Sequence, residues 1–237
     1  MGILVYCSNQ LQESGTTMKK EEIMMAEKKP MIALTFDDGP NTTTTTEVLD
    51  RLEKYGVRAS FFLIGNQISE ETTPIIQREI GLGCEINNHS FTHSFMDELK
   101  ADVIEEEIRV TSEKIKAISG KDPKFFRPPY IKVNDVMYDV IDMPFICGLG
   151  AQDWEAKVSV AERINGVLDQ AVDGAIILLH DFEGNDHTVE ALDTIIPKLR
   201  KRGFEFVTVG ELFEAKNVPI VKCPGKIFSI VEGSIKR

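Results

Sequence analysis

Residues 31–41 read MIALTFDDGPN. Five residues of little polar character, Ile32 to Phe36, run straight into two adjacent acids, Asp37 and Asp38, and then into Gly39 and Pro40. A short continuous apolar run of this kind reads as a strand buried on both faces. Carboxylates pressed against such a run need a partner for their charge. Successive side chains on a strand point to opposite faces, so Asp37 and Asp38 can do two different jobs at one spot.

Outward from this stretch the chain alternates. TTTEVLDRLEKYG reads as an amphipathic helix closed by Gly56, ASFFLIG as a strand, ETTPIIQREIGLG as its helix and CEINNH as a short strand leading into HSFTH. The long helix LKADVIEEEIRVTSEKIKAISG places Val103, Ile104, Ile108, Ile115 and Ile118 at helical spacing. The strand-like runs KFF, MPFICGLG, GAIILLHD and FEFVTV follow, with helices SVAERINGVLDQAV and TVEALDTIIPKLRKRG between them and GELFEA as a last helical piece. Continuous apolar strands separated by helices predict an α/β fold with a parallel sheet covered on both faces, either closed into a barrel or open and doubly wound. Neither G-x-G-x-x-G nor G-x-x-x-x-G-K-[ST] appears, so nucleotide binding has no support.

The chain has 237 residues, 42% of them hydrophobic, enough for one full-sized domain, though two smaller ones would also fit. A net charge of -11 and the lack of a basic stripe argue against nucleic acid as a partner. No apolar run approaches the roughly 20 residues of a membrane span. The four cysteines, Cys7, Cys84, Cys147 and Cys223, form no C-x-x-C pair; Cys84 and Cys147 lie in apolar surroundings and read as buried small hydrophobes.

Polar chemistry gathers where strands end. Asp37 and Asp38 end the first strand, His89 the third with His93 four residues on, Arg127 follows KFF, Asp153 and Trp154 follow the fifth, and His180 and Asp181 end the sixth. The carboxyl ends of parallel strands share one face, where active sites are built. His89 and His93 can turn to one metal ion if their segment makes a helical turn, and two histidines with one carboxylate make a three-ligand site with room for water. Ser90 stands where an H-E-x-x-H motif has its glutamate, so a base must come from elsewhere, and one of the two acids can supply it. His180 is the natural general acid, with Asp153 to hold its ring, and Arg127 can pair with a carboxylate. Against these stand plainer readings, a structural salt bridge for Arg127 and a helix cap for Asp153. No G-x-S-x-G elbow supports a serine hydrolase.

TFDDGP (residues 35–40), HSFTH (89–93), RPPY (127–130), DW (153–154) and LLH (178–180) together resemble, in order, the five motifs of the polysaccharide deacetylases of the NodB-homology type, carbohydrate esterase family 4. The likeness covers about Met31 to Ile220. It implies a distorted (β/α) barrel of seven or eight strands and hydrolysis of acetyl groups on carbohydrate without a covalent enzyme intermediate. It further implies Asp37 as base, Asp38 as metal ligand beside His89 and His93, Arg127 as the group orienting and tuning the base, and the Tyr130 backbone N–H as an oxyanion donor. Asp153 and Trp154 would support the catalytic His180, and Leu178 would line the pocket of the acetyl methyl. The implied metal is one divalent ion, zinc, with cobalt or nickel able to serve.

FFRPPYIKVN, FICGLGAQDW, GAIILLHDFEGNDHTVEALDTIIPKL and FEFVTVGELFEAKNVPI resemble bacterial acetylxylan esterases, which implies O-acetyl groups on xylan or xylo-oligosaccharides. The alternative is N-deacetylation of N-acetylglucosamine units in chito-oligosaccharides or peptidoglycan. Ile131 departs from the glycine common after the third motif, which leaves the local rim open. A silent carbohydrate-binding module would be expected to lack a ligand or the base, and all are present; a structural or interaction domain would not explain so many ionisable residues at strand ends. The expected organisation is a flexible leader over residues 1–30, a catalytic domain over 31–220 and a tail over 221–237. A monomer acting on acetylated poly- or oligosaccharide outside the cell or at its surface is the expectation. The leader would be an export or lipoprotein remnant with Cys7 as the lipidated residue, or else a remnant of cloning or a disordered end; an intracellular enzyme acting on imported oligosaccharides is the other reading of location.

Overall fold

Ile32, Ala33, Leu34 and Phe36 have no exposed surface, and they form the middle of strand β1 (Met31–Asp37). The computed structural model of the protein describes residues 29–233; Cys7 and nearly all of the leader lie outside the described residues, as do residues 234–237. β1 is flanked by parallel partners on both sides. β2 (Ser60–Leu63) and then β3 (Glu85–Asn88) lie on one side. β6 (Ala175–His180) lies on the other, followed by β5 (Leu149–Gly150). β7 (Glu205–Phe206) also pairs with the start of β1.

Helices α1 (Thr44–Tyr55), α2 (Thr73–Gly81), α5 (Val160–Gln170) and α6 (Asp186–Lys201) cover the outer face of this sheet. Ile32, Leu34 and Phe36 of β1 and Ala175, Ile177 and Leu179 of β6 pack against them in one apolar cluster. The alternate residues face inward. Ala33 and Ile176 join Phe62, Phe125, Ile146, Phe213 and Phe228 in a second cluster that fills the interior. The two-residue period therefore carries Thr35 and Asp37 to the inner face, with Leu178 and His180 beside them in register.

The rest of the ring departs from regular strands. The KFF run makes only single bridges, Phe126 pairing with Asn88 on one side and Phe145 on the other. MPFICGLG, read as one strand, splits into β4 (Phe145–Ile146) and β5, because Gly148 between them adopts φ 99°. A Cβ there would lie 2.9 Å from Leu178 Cβ, so only glycine lets the backbone pass this close. The segment after Val221 contributes β8 (Ile227–Phe228), paired with β4, and its continuation reaches β6 through the Ala175–Ile230 bridge. Backbone pairing thus runs around a closed circuit, β6–β1–β2–β3–Phe126–β4–β8 and back to β6. This is an α/β fold with a central parallel sheet and flanking helices, a distorted (β/α) barrel.

The long helix α3 (Ala101–Ser119) ends at Gly120 in the left-handed region and buries Ile104, Glu107, Thr111 and Ile115 along one stripe. α4 (Asp135–Val140) is capped by the Asn134 side chain, and α7 (Val209–Ala215) starts with a capping box from Thr208 and Glu211. Cys84 is buried, and burial first of all pushes its thiol up to about 12; Cys147 is only half-buried, less than its sequence setting suggests. No helix among the described residues is long and apolar enough to cross a membrane.

Candidate metal centre and active site

Asp37 is the last residue of β1 and sits opposite His180, the last of β6. Its side chain is buried. Arg127, with no exposed surface, donates from Nη1 to Asp37 Oδ1 at 2.5 Å. The guanidinium lies 4.1 Å from the centre of the Phe62 ring, and its Nε and Nη2 find no hydrogen-bond partner. An arginine packed against an aromatic face and held by one short ion pair leaves the second oxygen of Asp37 facing the pocket. That oxygen, Oδ2, lies 3.7 Å from His89 Nε2.

One residue on, the backbone turns. Asp38 has φ 75°, which swings its carboxylate away from the strand direction and toward the two histidines. Asp38 Oδ1 is 3.4 Å from His89 Nε2 and 3.3 Å from His93 Nε2. The ligand atoms of Asp38, His89 and His93 lie within 4.8 Å of one another. Asp38 Oδ1 is buried without a hydrogen bond, which is costly for a carboxylate oxygen unless a cation faces it. His89 Nδ1 donates to the Arg127 carbonyl at 2.7 Å, and since a carbonyl can only accept, this fixes the tautomer with Nε2 free to ligate. Oxygen and imidazole nitrogen donors with room beside them suit a divalent ion. The triad is a divalent metal-binding site.

The electrostatics agree with that role. Burial alone would raise the Asp38 carboxyl, but the His89 ring and the charges of His180 and His93 outweigh it and hold it at about 2. Burial, joined by the charge of His89, lowers His93, which favours the neutral ring that a metal needs.

The histidine pair does not ride on a helical turn as its spacing suggests. Residues 89–93 form an irregular bend with Ser90 at φ 65° and His93 at φ 58°. Asn88 Oδ1 accepts from Ser90 N at 2.8 Å, and Ser90 Oγ accepts from His93 N at 3.0 Å. Glu107 reaches in from α3: Oε2 accepts from the backbone N–H groups of Phe91 and Thr92, both at 2.8 Å, and Oε1 from Thr92 Oγ1 at 2.8 Å. Sequence reading passed over Glu107. Its signal was there, an acid on the apolar stripe of α3 between Ile104 and Thr111.

Across the pocket, His180 Nδ1 donates to Asp153 Oδ1 at 2.8 Å, and the His180 backbone N–H donates to Asp153 Oδ2 at 2.8 Å. Asp153 is fully buried, and its Oδ2 also accepts from Thr188 Oγ1 at 2.9 Å. Burial by itself would lower the His180 ring, but the hydrogen bond and charge of Asp153, with the charges of Asp37 and Asp38, carry it up to about 9. Asp153 is thus a partner of a ring nitrogen, not a helix cap.

The remaining residues singled out from sequence fall on the same cavity, about 330 Å³, which Pro128, Tyr130, Ile131, Trp154 and Leu178 line together with Asp37, Asp38, His89, His93 and His180. Leu178 is buried at its base, whereas Tyr130 and Trp154 are half exposed at its rim. Tyr130 sits in a left-handed turn at φ 58°, followed by Ile131 at φ 56°. Its ring stacks on Phe95 at 4.1 Å and meets His93 edge-on at 4.7 Å. All of the predicted site residues border this cavity except Arg127 and Asp153, which stand behind Asp37 and His180. A carboxylate base candidate, a cation triad and a proton-carrying histidine around one cavity can together open an ester or an amide with water.

A family model described as polysaccharide deacetylase matches residues 25–143. Among curated proteins, the bifunctional xylanase/deacetylase of Pseudobutyrivibrio xylanivorans is 50% identical over 211 residues, which cover 89% of this chain and 34% of that protein. The peptidoglycan-N-acetylmuramic acid deacetylase PdaC of Bacillus subtilis is 36% identical, over 84% of this chain and 42% of its own length. The chain therefore spans about a third to two-fifths of these curated relatives. Among solved structures, the Xyl-CE4 domain of a multidomain xylanase from the hindgut metagenome of Trinervitermes trinervoides superposes with a TM-score of 0.85 at 51% identity, covering 87% of this chain and all of that one. A family 4 acetyl xylan esterase from Clostridium thermocellum, in complex with a cobalt ion, superposes with a TM-score of 0.82 at 42% identity over 85% and 98% of the two chains.

Proposed function

Since the chain belongs to the polysaccharide deacetylase family, and its metal triad and fold support a metal-dependent deacetylase or esterase, we propose that it removes O-acetyl groups from xylose units of xylan or xylo-oligosaccharides. The observation that carries the substrate is the gradient of likeness, 50% identity to a bifunctional xylanase/deacetylase and 51% to the Xyl-CE4 domain of a multidomain xylanase against 36% to a peptidoglycan deacetylase. We assign zinc as the ion.

A divalent ion held by Asp38, His89 and His93 would supply Lewis-acid chemistry, polarising the acetyl carbonyl and acidifying water. Asp37 is the base. Arg127 pins its Oδ1, so Oδ2 is the oxygen that takes a proton from water. The Tyr130 backbone N–H gives a hydrogen bond to the negative charge that develops on the acetyl carbonyl oxygen. His180 is the acid: Asp153 holds Nδ1, so the proton goes from Nε2 to the departing sugar oxygen. Leu178 receives the methyl group, and Trp154 screens the acid from bulk water. No side chain needs to attack the carbonyl.

Acetate release from acetylxylan and from N-acetylated chito-oligosaccharides, with zinc supplied, tests the reading. Acetylxylan is expected to be the better substrate. A kcat/KM more than about tenfold higher on the N-acetyl substrate, or roughly 1.4 kcal/mol in transition-state binding, would overturn it in favour of the N-deacetylase.

A further inference from the structure

A second hollow, about 230 Å³, opens beside the metal pocket, with Trp154, Phe182, Asp186 and His187 around it and Arg163 and Asn185 beneath. Trp154 lines both cavities, so the two adjoin at its side chain. We propose that this hollow is a subsite for a neighbouring, uncharged sugar ring of the glycan chain whose acetylated ring occupies the metal pocket.

Position comes first. The His180 ring, on the metal-pocket side, neighbours two aromatics that line the hollow, 5.4 Å from Trp154 and 6.3 Å from Phe182 between ring centres. The proposed acid must face the sugar oxygen that departs, so the sugar is on the His180 side while its acetyl methyl points to Leu178. A chain continuing from that sugar meets Trp154 and then Phe182. Trp154 is 46% exposed, and Phe182 is half-buried. Flat aromatic surfaces offer apolar contact to the C–H faces of sugar rings at little cost in conformational entropy.

The polar lining suits an uncharged ring. Asp186 and His187 are exposed at the lip, where they can exchange hydrogen bonds with hydroxyl groups. Arg163, the cation in the floor, is buried and already committed: Nη1 donates to Asn185 Oδ1 and to Thr188 Oγ1 at 2.8 Å, Nη2 to the Glu155 carbonyl and Nε to the Val158 carbonyl. Four of its five N–H groups are turned to protein acceptors, and Asp186 at the lip would repel an anionic ring. The same Thr188 donates to Asp153, so the floor and the support of His180 are one hydrogen-bonded unit. Occupancy of the hollow is thereby tied to a rigid acid rather than to a loose loop.

The subsite rests on the reading of this protein as a carbohydrate deacetylase, but its test reads binding as well as turnover. Trp154 is the chain's only tryptophan, so its fluorescence reports ligands at the junction of the two cavities. Non-acetylated xylo-oligosaccharides and chito-oligosaccharides of one to five units are titrated into the zinc-loaded wild type, Phe182→Ala and His187→Ala. In the wild type, affinity is expected to rise about fivefold or more between one unit and three, and each substitution should remove most of that gain. Turnover of an aryl acetate, which does not reach the hollow, should stay at the wild-type level in both variants. A length gain that survives both substitutions, or no gain with either sugar series, would overturn the subsite. A gain with the chito series alone would keep the subsite and overturn xylan as the substrate.

Discussion

At Asp37 the side chain keeps the inward register of β1, while at Asp38 the backbone reaches φ 75° and delivers its carboxylate to His89 and His93. Two chemically identical neighbours thereby face different partners, an arginine and a pair of imidazoles. Asp37→Asn is expected to lose turnover by about 10²-fold or more while keeping the metal. Asp38→Asn should lose metal and turnover together; metal content after dialysis and acetate release check both, and the opposite pattern would exchange the roles. The two acids were legible from TFDDGP, and the resemblance implied which is base and which is ligand; what no local pattern marked is the positive φ at Asp38 that separates them. His180 carries a second prediction. Its ring is raised to about 9 against burial, chiefly by Asp153, so it stays protonated at neutral pH and the rate should fall only as pH climbs through that value. Asp153→Asn removes the charge that raises it, so the ring loses its proton at lower pH, and the alkaline limb of the kcat/KM profile should move down. An unmoved limb, with a lower plateau only, would mean that Asp153 merely holds the ring in place.

The HSFTH bend is an element without regular hydrogen bonds of its own, and it is held from outside by a helix. Glu107 on α3 accepts from two backbone N–H groups and one hydroxyl of the bend. Glu107→Ala leaves those backbone donors unpaired and frees the segment that carries His93. Partners that orient ligands from behind typically contribute tenfold or more to metal affinity, so zinc binding should weaken by about 10–100-fold, measured by competition with a chelator. Glu107→Gln keeps one accepting oxygen and should lie between. Unchanged zinc affinity in the alanine variant would show that Asn88 and Ser90 suffice to hold the bend. At this scale the sequence was informative where periodicity is long: β1, β6 and α3 were legible from their apolar patterns. It was less so around Phe126 and Gly148. There the ring is continued by single bridges and two-residue strands, whose pairing depends on partners far along the chain, and no local pattern marks it.

Closure of the barrel is a property of the whole molecule, and it draws on the segment beyond Val221 that sequence likeness leaves outside the catalytic region. Phe228 is buried in the interior cluster, 5.0 Å from Phe213 between ring centres, and Phe213 in turn packs on Phe125 at 4.9 Å. Its carbonyl accepts from Cys147 N at 2.8 Å and Gly148 N at 3.2 Å, which ties down the strap at Gly148, where a Cβ would lie 2.9 Å from Leu178 Cβ and 3.3 Å from Arg127 Nη2. Val231 N then donates to the Gly174 carbonyl at the foot of β6. The last strand therefore fixes the one glycine that leaves room for the base's arginine and for the proposed methyl pocket. Phe228→Ala removes a buried ring from a filled interior, where such truncations cost about 3–5 kcal/mol. Urea unfolding should show the free energy of unfolding falling by that amount, and the midpoint by that amount divided by an unchanged slope. Because the backbone bonds to the strap survive the substitution, the zinc content of the folded variant should stay at the wild-type level. A loss below about 1 kcal/mol would mean that the strand rests on the barrel as an appendage, since ordinary surface substitutions fall within about 0.5 kcal/mol of zero and a core ring does not.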